Sequence, residues 1–312
     1  MTSHPPPKWY IVINPVAGSG QAKRRWPAIQ QLLRSEGFRF QPVFTHHQGH
    51  AIDLVNEAIH QGYRHFVALG GDGTNHEVAN GLLLQQQVPP DELYYALLPV
   101  GTGNDWCKTY NIPRQPRRWI QLLHRLNTRL QDVGVVHYHQ QGKQQQRYFV
   151  NVAGLAYDAY LVRHLAQQKS FKGGQLGFLY QTMKCLFRYP LSKAAVQVND
   201  QQIIDQFYTI NVGICRYSGG GMQLVPHAIP DDGLLALTIA GQLSIPEILF
   251  NTYRFYTGTL DRHPKIQTFQ TERLRVQALE DQPTLVEADG EFLGETPVEF
   301  RVLPKALRVI VP

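Results

Sequence analysis

The order of apolar and polar residues over the first 136 positions predicts strands that alternate with helices. Short apolar runs predict strands at 9–13, 38–44, 66–69, 94–98 and 130–136. Apolar residues spaced by three or four predict helices at 22–35, 51–60, 77–84 and 118–126. Because parallel strands are joined by helical crossovers, this part is expected to form a parallel sheet flanked by helices.

The pattern changes after about residue 136, where short segments alternate between apolar and polar positions. They predict strands at 147–152, 194–198, 207–212, 234–239, 274–278, 284–288 and 298–302. Helical spacing interrupts them at 157–168, 174–188 and 245–257. Turn pairs such as Asn199-Asp200 and Asp232-Gly233 separate the segments. This pattern is typical of an antiparallel β-sandwich or barrel.

The change of pattern predicts two domains, which suits a chain of 312 residues. We expect an α/β domain over 1–134 and an antiparallel β-sandwich over 135–304. A last apolar segment, 307–311, follows Pro304. The sequence leaves open whether 305–312 returns to the first sheet.

Composition and charge narrow the range of partners only slightly. The net charge of +6 attracts phosphate-bearing partners, but no nucleic-acid motif is present, so we expect no nucleic-acid partner. The three cysteines lie far apart, and neither a signal peptide nor a membrane-spanning run is visible. We therefore expect a cytoplasmic protein. The oligomeric state stays open, with a homodimer as one alternative.

Three glycine-rich loops each follow a predicted strand. They are NPVAGSG at 14–20, GGDGT at 70–74 and PVGTGND at 99–105. In a parallel sheet these strand ends share one edge, where open α/β folds bind ligands. Glycines let a phosphate approach the backbone, and N–H groups at a helix start attract anions. Each loop alone is equally explained by a tight turn, but three together predict a nucleotide or phosphate site.

Asp72 lies in the middle of the second loop, where its carboxylate would repel a phosphate unless a cation lay between them. Mg²⁺ binds through one or two carboxylates together with phosphate oxygens and water. We therefore expect Asp72 to organise Mg²⁺, with a solvated turn aspartate as the alternative. Thr74 and Glu77 have the spacing of a capping box, which predicts a helix start just after Thr74.

The loops resemble the diacylglycerol kinase catalytic-domain family, which includes bacterial soluble lipid kinases and the sphingosine and ceramide kinases. GGDGT alone is shared with NAD kinases, whereas the ordered set is more specific. The matching residues are Asn14-Pro15 with Gly18 and Gly20, GGDGT with Glu77, PVGTGND, Asp132, Phe149, Asn151, Asp158, Asn211, GGGM at 219–222, PHAIPDDGLL at 226–235 and ADGE at 288–291.

The resemblance implies a Rossmann-like α/β domain, a C-terminal β-sandwich and ATP bound in the cleft between them. It implies catalytic roles for Asp72, for Asp289 as the general base, and for Glu291 nearby. Asp72, Asp132, Asp231 and Asp232 are the implied metal positions. The implied nucleotide-binding positions are Asn14, Gly18, Gly70, Gly71, Gly73, Thr74, Glu77, Gly101, Thr102, Asn104, Asp105 and Lys172.

The residues alone give Asp289 a simpler interpretation, because Asp-Gly between two alternating segments is an ordinary hairpin turn. The sequence also departs from the family in two places. Ser19 stands where many relatives carry a lysine, and Lys23 or Arg24 is a candidate replacement. Asn75-His76-Glu77 replaces the usual Leu-Asn-Glu, which puts any role of the usual asparagine in doubt.

Residues 169–190 interleave basic and aromatic side chains, a composition suited to a membrane interface. A helix packed on the sandwich, with its lysines directed outward, is the favoured alternative. We expect an ATP- and Mg²⁺-dependent lipid kinase in peripheral contact with a membrane. The acceptor would be a hydroxyl group of diacylglycerol, a sphingoid base or a related lipid. The alternatives are an NAD kinase-like enzyme with a soluble substrate, and a nucleotide-binding membrane sensor without turnover.

Overall fold

A computed structural model describes residues 7–101, 103–140, 142–167, 174–279 and 282–312, with side chains from 180 onward in the fourth range. The chain divides into two compact units. The first runs to Val133 and includes Pro304–Pro312, and the second is Gly134–Leu303. Within the described ranges, no helix is both long and apolar enough to cross a bilayer.

The first unit is built on parallel strands, as predicted. They are β1 (Lys8–Ile13), β2 (Arg39–Phe44), β3 (His65–Gly70) and β4 (Tyr94–Pro99). Their order in the sheet is β4-β3-β1-β2, and all of the pairs are parallel. The chain end also returns to this sheet, because Arg308 and Val309 pair in parallel with Tyr94 and Tyr95 of β4.

The helices of the first unit cover its sheet with apolar faces. They are α1 (Ala17–Ser35), α2 (His50–His60), α3 (Asp72–Leu84), α4 (Asp105–Thr109) and α5 (Pro116–Arg125), with a 3-10 turn at Pro90–Glu92. In α2, Val55 and Ile59 are buried, as the periodicity predicted, whereas Ile52 of the same predicted face is only partly buried. The prediction for α3 was wrong at its start, because the helix begins at Asp72 rather than after Thr74.

The second unit consists mainly of antiparallel strands. Two long strands, β5 (Thr128–Gln140) and β17 (Glu291–Ile310), contribute residues to both units. The others are β6 (Lys143–Phe149), β7 (Val152–Ala156), β8 (Ser192–Val198), β9 (Gln201–Phe207), β10 (Thr209–Gly213), β11 (Tyr217–Ser218), β12 (Met222–Gln223), β13 (Leu235–Ala240), β14 (Ile266–Thr271), β15 (Arg273–Ala278) and β16 (Leu285–Ala288).

These strands form two antiparallel series. One has the order β14-β13-β10-β7-β16-β17, and the other runs β17-β15-β8-β9. The run Gln144–Gln146 lies within β6, which pairs with β5 from Lys143 onward. The predicted strand 147–152 spans the end of β6 and the start of β7. The predicted fold class, an α/β unit followed by an antiparallel sandwich, is confirmed.

Four helices accompany the second unit. They are α6 (Tyr157–Gln167), α7 (Gly174–Leu186), α8 (Ile245–Asn251) and α9 (Tyr253–Thr257), followed by a 3-10 turn at Leu260–Arg262. Tyr157 and Leu161 of α6 form a buried cluster with Cys185 and Leu186 of α7. Ile245 and Ile248 of α8 pack against this cluster. Helices α6, α7 and α8 therefore share one small core, to which Tyr208 also contributes.

Candidate active site

The three glycine loops meet at the carboxyl edge of the first sheet. A β-carbon at Gly18 would lie 3.2 Å from the carbonyl oxygen of Val100, and one at Gly101 would lie 3.0 Å from Cα of Gly71. The backbone N–H of Val100 donates to the carbonyl of Gly70 at 2.7 Å. The loops therefore pack backbone to backbone, which only residues without a side chain allow.

A cavity of about 350 Å³ opens between the first and third loops. Its lining includes Gly18, Ser19, Gln21, Arg25, Pro99, Val100, Gly101, Asn104 and Arg114. Arg25 Nη2 donates to the carbonyl of Arg114 at 3.4 Å, and Arg114 Nη2 donates to that of Gly103 at 3.3 Å. Two guanidinium groups beside a glycine cradle fit a phosphate-bearing ligand, because guanidinium binds phosphate through paired donors.

Arg25 supplies a basic side chain to the cavity that Ser19 also lines. Gly18, Ser19 and Gly20 all have left-handed backbone angles, with φ of 59°, 56° and 81°. Regular helical geometry begins after them, so Gln21 and Arg25 lie four residues apart on one helix face, and both line the cavity. Neither of the expected substitutes, Lys23 and Arg24, is among the lining residues.

Asn104 lines the cavity and carries a buried hydrogen-bond acceptor. Its side chain is 1% exposed, and its backbone is left-handed with φ of 50°. Nδ2 donates to the carbonyl of Gly101 at 2.7 Å. Oδ1 has no hydrogen-bond partner among the residues that the structure describes. A buried acceptor without a partner is costly, so this atom fits a donor on a bound molecule, such as a nucleotide amine or hydroxyl.

Asp72 has a structural task that the sequence did not reveal. Its Oδ1 accepts from the backbone N–H groups of Asp105 at 2.8 Å and Trp106 at 3.3 Å, at the start of α4. Asp105 in turn pairs with Lys108 at 2.5 Å. Asp72 thus caps a short helix from a distance in sequence. The role of Asp72 toward Mg²⁺ stays a prediction.

The capping box predicted for Thr74 and Glu77 is wrong. Asn14 Nδ2 donates to Thr74 Oγ1 at 3.1 Å, which ties the first loop to the second. Glu77 Oε2 accepts from the N–H of Ala51 at 3.2 Å, near the start of α2. Both side chains therefore join elements distant in sequence, and α3 has no side-chain cap at Gly71.

The polar pair that replaces the usual Leu-Asn is buried and hydrogen-bonded. Asn75 Oδ1 accepts from the hydroxyl of Tyr95 at 2.6 Å. Asn80 Nδ2 lies 3.3 Å from Nε2 of the fully buried His76. These partners satisfy Asn75 and His76 within the first unit.

In the second unit, the turn after β16 is organised by Asp289. The backbone of Asp289 is left-handed, with φ of 49°. Its carboxylate accepts from three consecutive backbone N–H groups, those of Val150 and Asn151 at 3.0 Å and Val152 at 3.2 Å. Glu291 follows as the first residue of β17, paired with Ala288. The predicted base is therefore more than an ordinary hairpin aspartate, because main-chain donors hold its carboxylate in one orientation.

Two family profiles match the chain along most of its length. The diacylglycerol kinase catalytic domain matches residues 8–136. The YegS C-terminal NAD kinase beta sandwich-like domain matches residues 151–311, more than half of the chain. This chain belongs to the diacylglycerol kinase catalytic-domain family. It is therefore a kinase, as the resemblance of its motifs to this family implied.

Three similar proteins match this chain over 84% or more of their own length. The diacylglycerol kinase of Staphylococcus carnosus is 23% identical over 97% of this chain and 94% of its own. A diacylglycerol kinase structure from Bacillus anthracis shares the fold at 19% identity with a TM-score of 0.70, covering 98% of this chain and 97% of its own. Yeast NADH kinase in complex with NADH shares it at 11% identity with a TM-score of 0.54, covering 99% and 84%.

The remaining acidic positions of this kinase lie in two places. Asp132 is fully buried in the first unit, and its Oδ1 accepts from the N–H of Lys305 at 2.7 Å. Asp231 and Asp232 are exposed in the second unit, where Asp232 accepts from the N–H of Leu234 at 3.0 Å. No group of three or more metal-ligating side chains occurs within the described residues. Cation binding at these positions therefore stays a prediction.

The second unit of the kinase contains a buried polar row that the sequence did not reveal. Strand pairing places Glu287, Gly154, Asn211 and Thr238 side by side across β16, β7, β10 and β13. A β-carbon at Gly154 would lie 2.7 Å from Glu287 Oε1 and 2.8 Å from the β-carbon of Asp158. Asn211 Oδ1 and Thr238 Oγ1 have no partner within the described ranges. The row thus places the carboxylate of Glu287 and two polar side chains in the sheet, and Gly154 leaves room for the carboxylate of Asp158 from α6.

Burial of Asp158 raises the pKa of its carboxyl group from 3.8 to about 6. Hydrogen bonds from Thr209 and Asn211 lower the pKa, but they do not offset the loss of hydration. Asp158 and Asn211 belong to the family motifs, yet the register that joins them to Glu287 is a long-range property of the sheet.

Two predicted nucleotide positions, Thr102 and Lys172, lie outside the described residues. So does part of the basic, aromatic segment 169–190. In its described remainder, Cys185 and Leu186 are buried in the helical cluster, which agrees with a helix packed on the sandwich. Tyr180 and Phe187 are 65% and 63% exposed.

Proposed function

We propose that this kinase transfers the γ-phosphoryl group of ATP, with Mg²⁺, to a hydroxyl group of a lipid such as diacylglycerol or a sphingoid base. The observation that carries the proposal is the cavity between the glycine loops, with Arg25, Arg114 and the unpartnered Asn104 Oδ1 in its lining. The names of the similar proteins, which are diacylglycerol kinases, support a lipid acceptor.

In the proposed reaction, the residues of the first unit bind and orient the triphosphate. The glycine loops offer backbone N–H groups, and Arg25 and Arg114 compensate the phosphate charge. Asp72 is the residue that would hold Mg²⁺, directly or through water. When bound, Mg²⁺ would neutralise charge on the phosphate oxygens.

Asp289 would accept the proton that the lipid hydroxyl loses as its oxygen attacks the γ-phosphorus. The P–O bond to the β-phosphate breaks in the same step, and ADP leaves. Phosphoryl transfer depends mostly on positioning, so a carboxylate held by three N–H groups suits this role.

A second candidate function is phosphorylation of a soluble nucleotide cofactor. The shared fold of yeast NADH kinase supports it. The two candidates differ in the phosphorylated product, which either partitions into organic solvent or stays in water.

The experiment offers the protein ATP labelled in the γ-phosphate, together with a fractionated lipid extract or with NAD. We expect label in an organic-soluble phospholipid. Label only in the water-soluble product would support the second candidate. Tight ATP binding without any transfer would indicate a sensor and contradict both.

Two variants, one of an arginine and one of a lysine, test in the same assay where the triphosphate binds. Arg25→Met should raise the KM for ATP by about tenfold, because a charge-assisted hydrogen bond contributes roughly 1.5–3 kcal/mol. Lys23→Met is the matched control, since Lys23 does not line the cavity. Equal KM values for the two variants would remove Arg25 from the nucleotide site.

A further inference from the structure

Helices α8 and α9 present an uncovered apolar face. Leu249, Phe250, Tyr253 and Tyr256 are 43%, 82%, 55% and 59% exposed. Residues three and four apart on a helix share one side, so these four form a continuous stripe. Thr252, between the two helices, keeps helical angles, so the stripe is not interrupted. We infer that this stripe is the surface through which the kinase binds a lipid bilayer. The inference deepens the proposed function and rests on it.

The stripe is exposed because the other side of α8 already has its core. Ile245 and Ile248 pack against the buried cluster of α6 and α7. The capping box of Ser244 and Glu247, with both hydrogen bonds formed, fixes where α8 begins. The inner side of α8 therefore packs on this cluster, whereas the outer apolar side chains stay largely exposed, with the Arg254 guanidinium 5.4 Å from the ring centroid of Tyr253.

The chemistry of the stripe fits a membrane interface. Tyrosine has an apolar ring and a polar hydroxyl group, which suits the boundary between acyl chains and headgroups. No charged side chain belongs to the four residues. The surrounding segment, 244–265, carries three cations, Arg254, Arg262 and Lys265, against the two anions Glu247 and Asp261. This excess of positive charge complements an anionic bilayer surface.

A chain of contacts joins the stripe to the predicted base. The carbonyl of Tyr256 accepts from Gln223 Nε2 at 3.4 Å, and Gln223 pairs with Tyr217 in the β11–β12 hairpin. The carbonyl of Tyr217 accepts from Asn151 Nδ2 at 2.8 Å, and the backbone N–H of Asn151 donates to Asp289. These contacts connect the stripe to the carboxylate that is proposed to act on a lipid hydroxyl.

The size of the stripe argues for a bilayer over a second copy of the chain. Its exposed side chains present roughly 500 Å², since a fully exposed side chain of this size has about 200 Å². A stable protein interface needs about 800 Å² per partner and some 20–30 residues. Four side chains on two short helices fall short of that, whereas insertion into an interface needs no complementary partner.

A fluorescent reporter tests the inference without any kinase assay. The four native tryptophans, Trp9, Trp26, Trp106 and Trp119, are at most 6% exposed, so the new indole of Phe250→Trp would be the accessible one. With vesicles of phosphatidylcholine and phosphatidylglycerol brominated on the acyl chains, we expect a blue shift and quenching. Ile204→Trp, at a position 53% exposed on β9, is the control and should show neither.

A binding assay tests the stripe as a unit. Phe250→Ser with Tyr253→Ser should weaken co-sedimentation with the same vesicles at least about tenfold, because two aromatic side chains would no longer enter the interface. Ile204→Ser should leave binding unchanged. Phosphorylation of a short-chain diacylglycerol dissolved without vesicles should be retained, which shows that the variant is folded.

The remaining outcomes separate this inference from the proposed function. Equal quenching at both tryptophan positions, or vesicle binding by the double variant as tight as that of the wild type, would overturn the inference. The inference would also be overturned if the wild-type protein is a dimer without vesicles and the double variant is a monomer, because a second copy would then cover the stripe. A wild-type protein that phosphorylates no lipid, dissolved or vesicular, would instead contradict the proposed function, whatever the reporter shows.

Discussion

The glycine loops of the first unit and the acidic turn of the second hold their polar groups by different means. In the loops, backbone meets backbone, as where a β-carbon at Gly101 would lie 3.0 Å from Gly71. In the turn, one side chain, Asp289, gathers the N–H groups of three consecutive residues. Substitutions in the loops should therefore act through steric clashes, whereas substitutions in the turn should act through the loss of charge.

The largest effect is expected at Asp289, whose carboxylate binds the N–H groups of the turn and is also the proposed general base. Asp289→Asn should reduce kcat by about 100- to 10,000-fold, because the amide cannot accept the proton of the attacking hydroxyl. The amide group would also face backbone donors, which should cost about 1–3 kcal/mol of unfolding free energy. Single-turnover kinetics and thermal unfolding measure the two effects separately.

Asp200→Asn is the control for Asp289, because Asp200 lies in the turn between β8 and β9 and is exposed. It should leave both kcat and the melting temperature unchanged. A folded Asp289→Asn enzyme with wild-type kcat would show that the aspartate only shapes the turn.

A second effect concerns the buried row of the sandwich. The pKa of Asp158 is about 6 in the folded protein against 3.8 ordinarily, so the folded state binds the proton more tightly between these values. The contribution of Asp158 to the unfolding free energy should therefore fall by about 3 kcal/mol as pH rises from about 4 to about 6, and stay level above.

Chemical unfolding of wild type and Asp158→Asn at several pH values isolates this contribution. The difference between the two proteins should shift in favour of the variant over that pH range. A difference that does not change with pH would mean that Asp158 titrates normally, and that the row is hydrated.

The two regions also differ in how much of them the sequence predicted. The loops were predictable because each follows a strand with a local apolar pattern, and parallel pairing then brings them to one edge. Three features were missed for physical reasons. Strand β9 has mostly exposed side chains and therefore no alternation. Helix α4 has five residues and depends on Asp72, far away in sequence, for its cap. The polar row depends on the register of four strands.

A third prediction concerns the close backbone packing of the glycine loops. Gly101→Ala should lower the unfolding free energy by about 1–3 kcal/mol, because its β-carbon would lie 3.0 Å from the backbone of Gly71. Gly73→Ala should not lower the unfolding free energy, because nothing lies within 4 Å of a β-carbon there and alanine has a higher helix propensity than glycine.

Gly73→Ala should nevertheless raise the KM for ATP if a phosphate approaches Gly73 closely. More stable protein with weaker ATP binding is a combination that only contact with the ligand explains. An unchanged KM would mean that Gly73 serves only the first turn of α3.

The smallest effect is expected on the outer face of the sandwich. Burial of Glu299 raises the pKa of its carboxyl group, but hydrogen bonds from Arg273, Arg275 and Arg301 outweigh it and lower the pKa to about 2. Because these arginines are about half exposed, Glu299→Gln should cost only about 1 kcal/mol at neutral pH. This contribution should be present above pH 4.5 and be lost as pH falls toward 2, the opposite sign to that of Asp158.

Thermal unfolding of Glu299→Gln at low and high salt checks this estimate. The difference from wild type should shrink as salt screens the arginines. A loss of unfolding free energy several times larger would show that the stability of the sheet depends on this network.

The central claim is that the glycine loops of the first unit hold a triphosphate, and a crystal structure with Mg²⁺ and a non-hydrolysable ATP analogue tests it most directly. We expect phosphate oxygens against the backbone of Gly18 and Gly101, a guanidinium group of Arg25 or Arg114 on a phosphate, and a ligand donor on Asn104 Oδ1. A nucleotide bound elsewhere, with that cavity holding only water, would contradict the account.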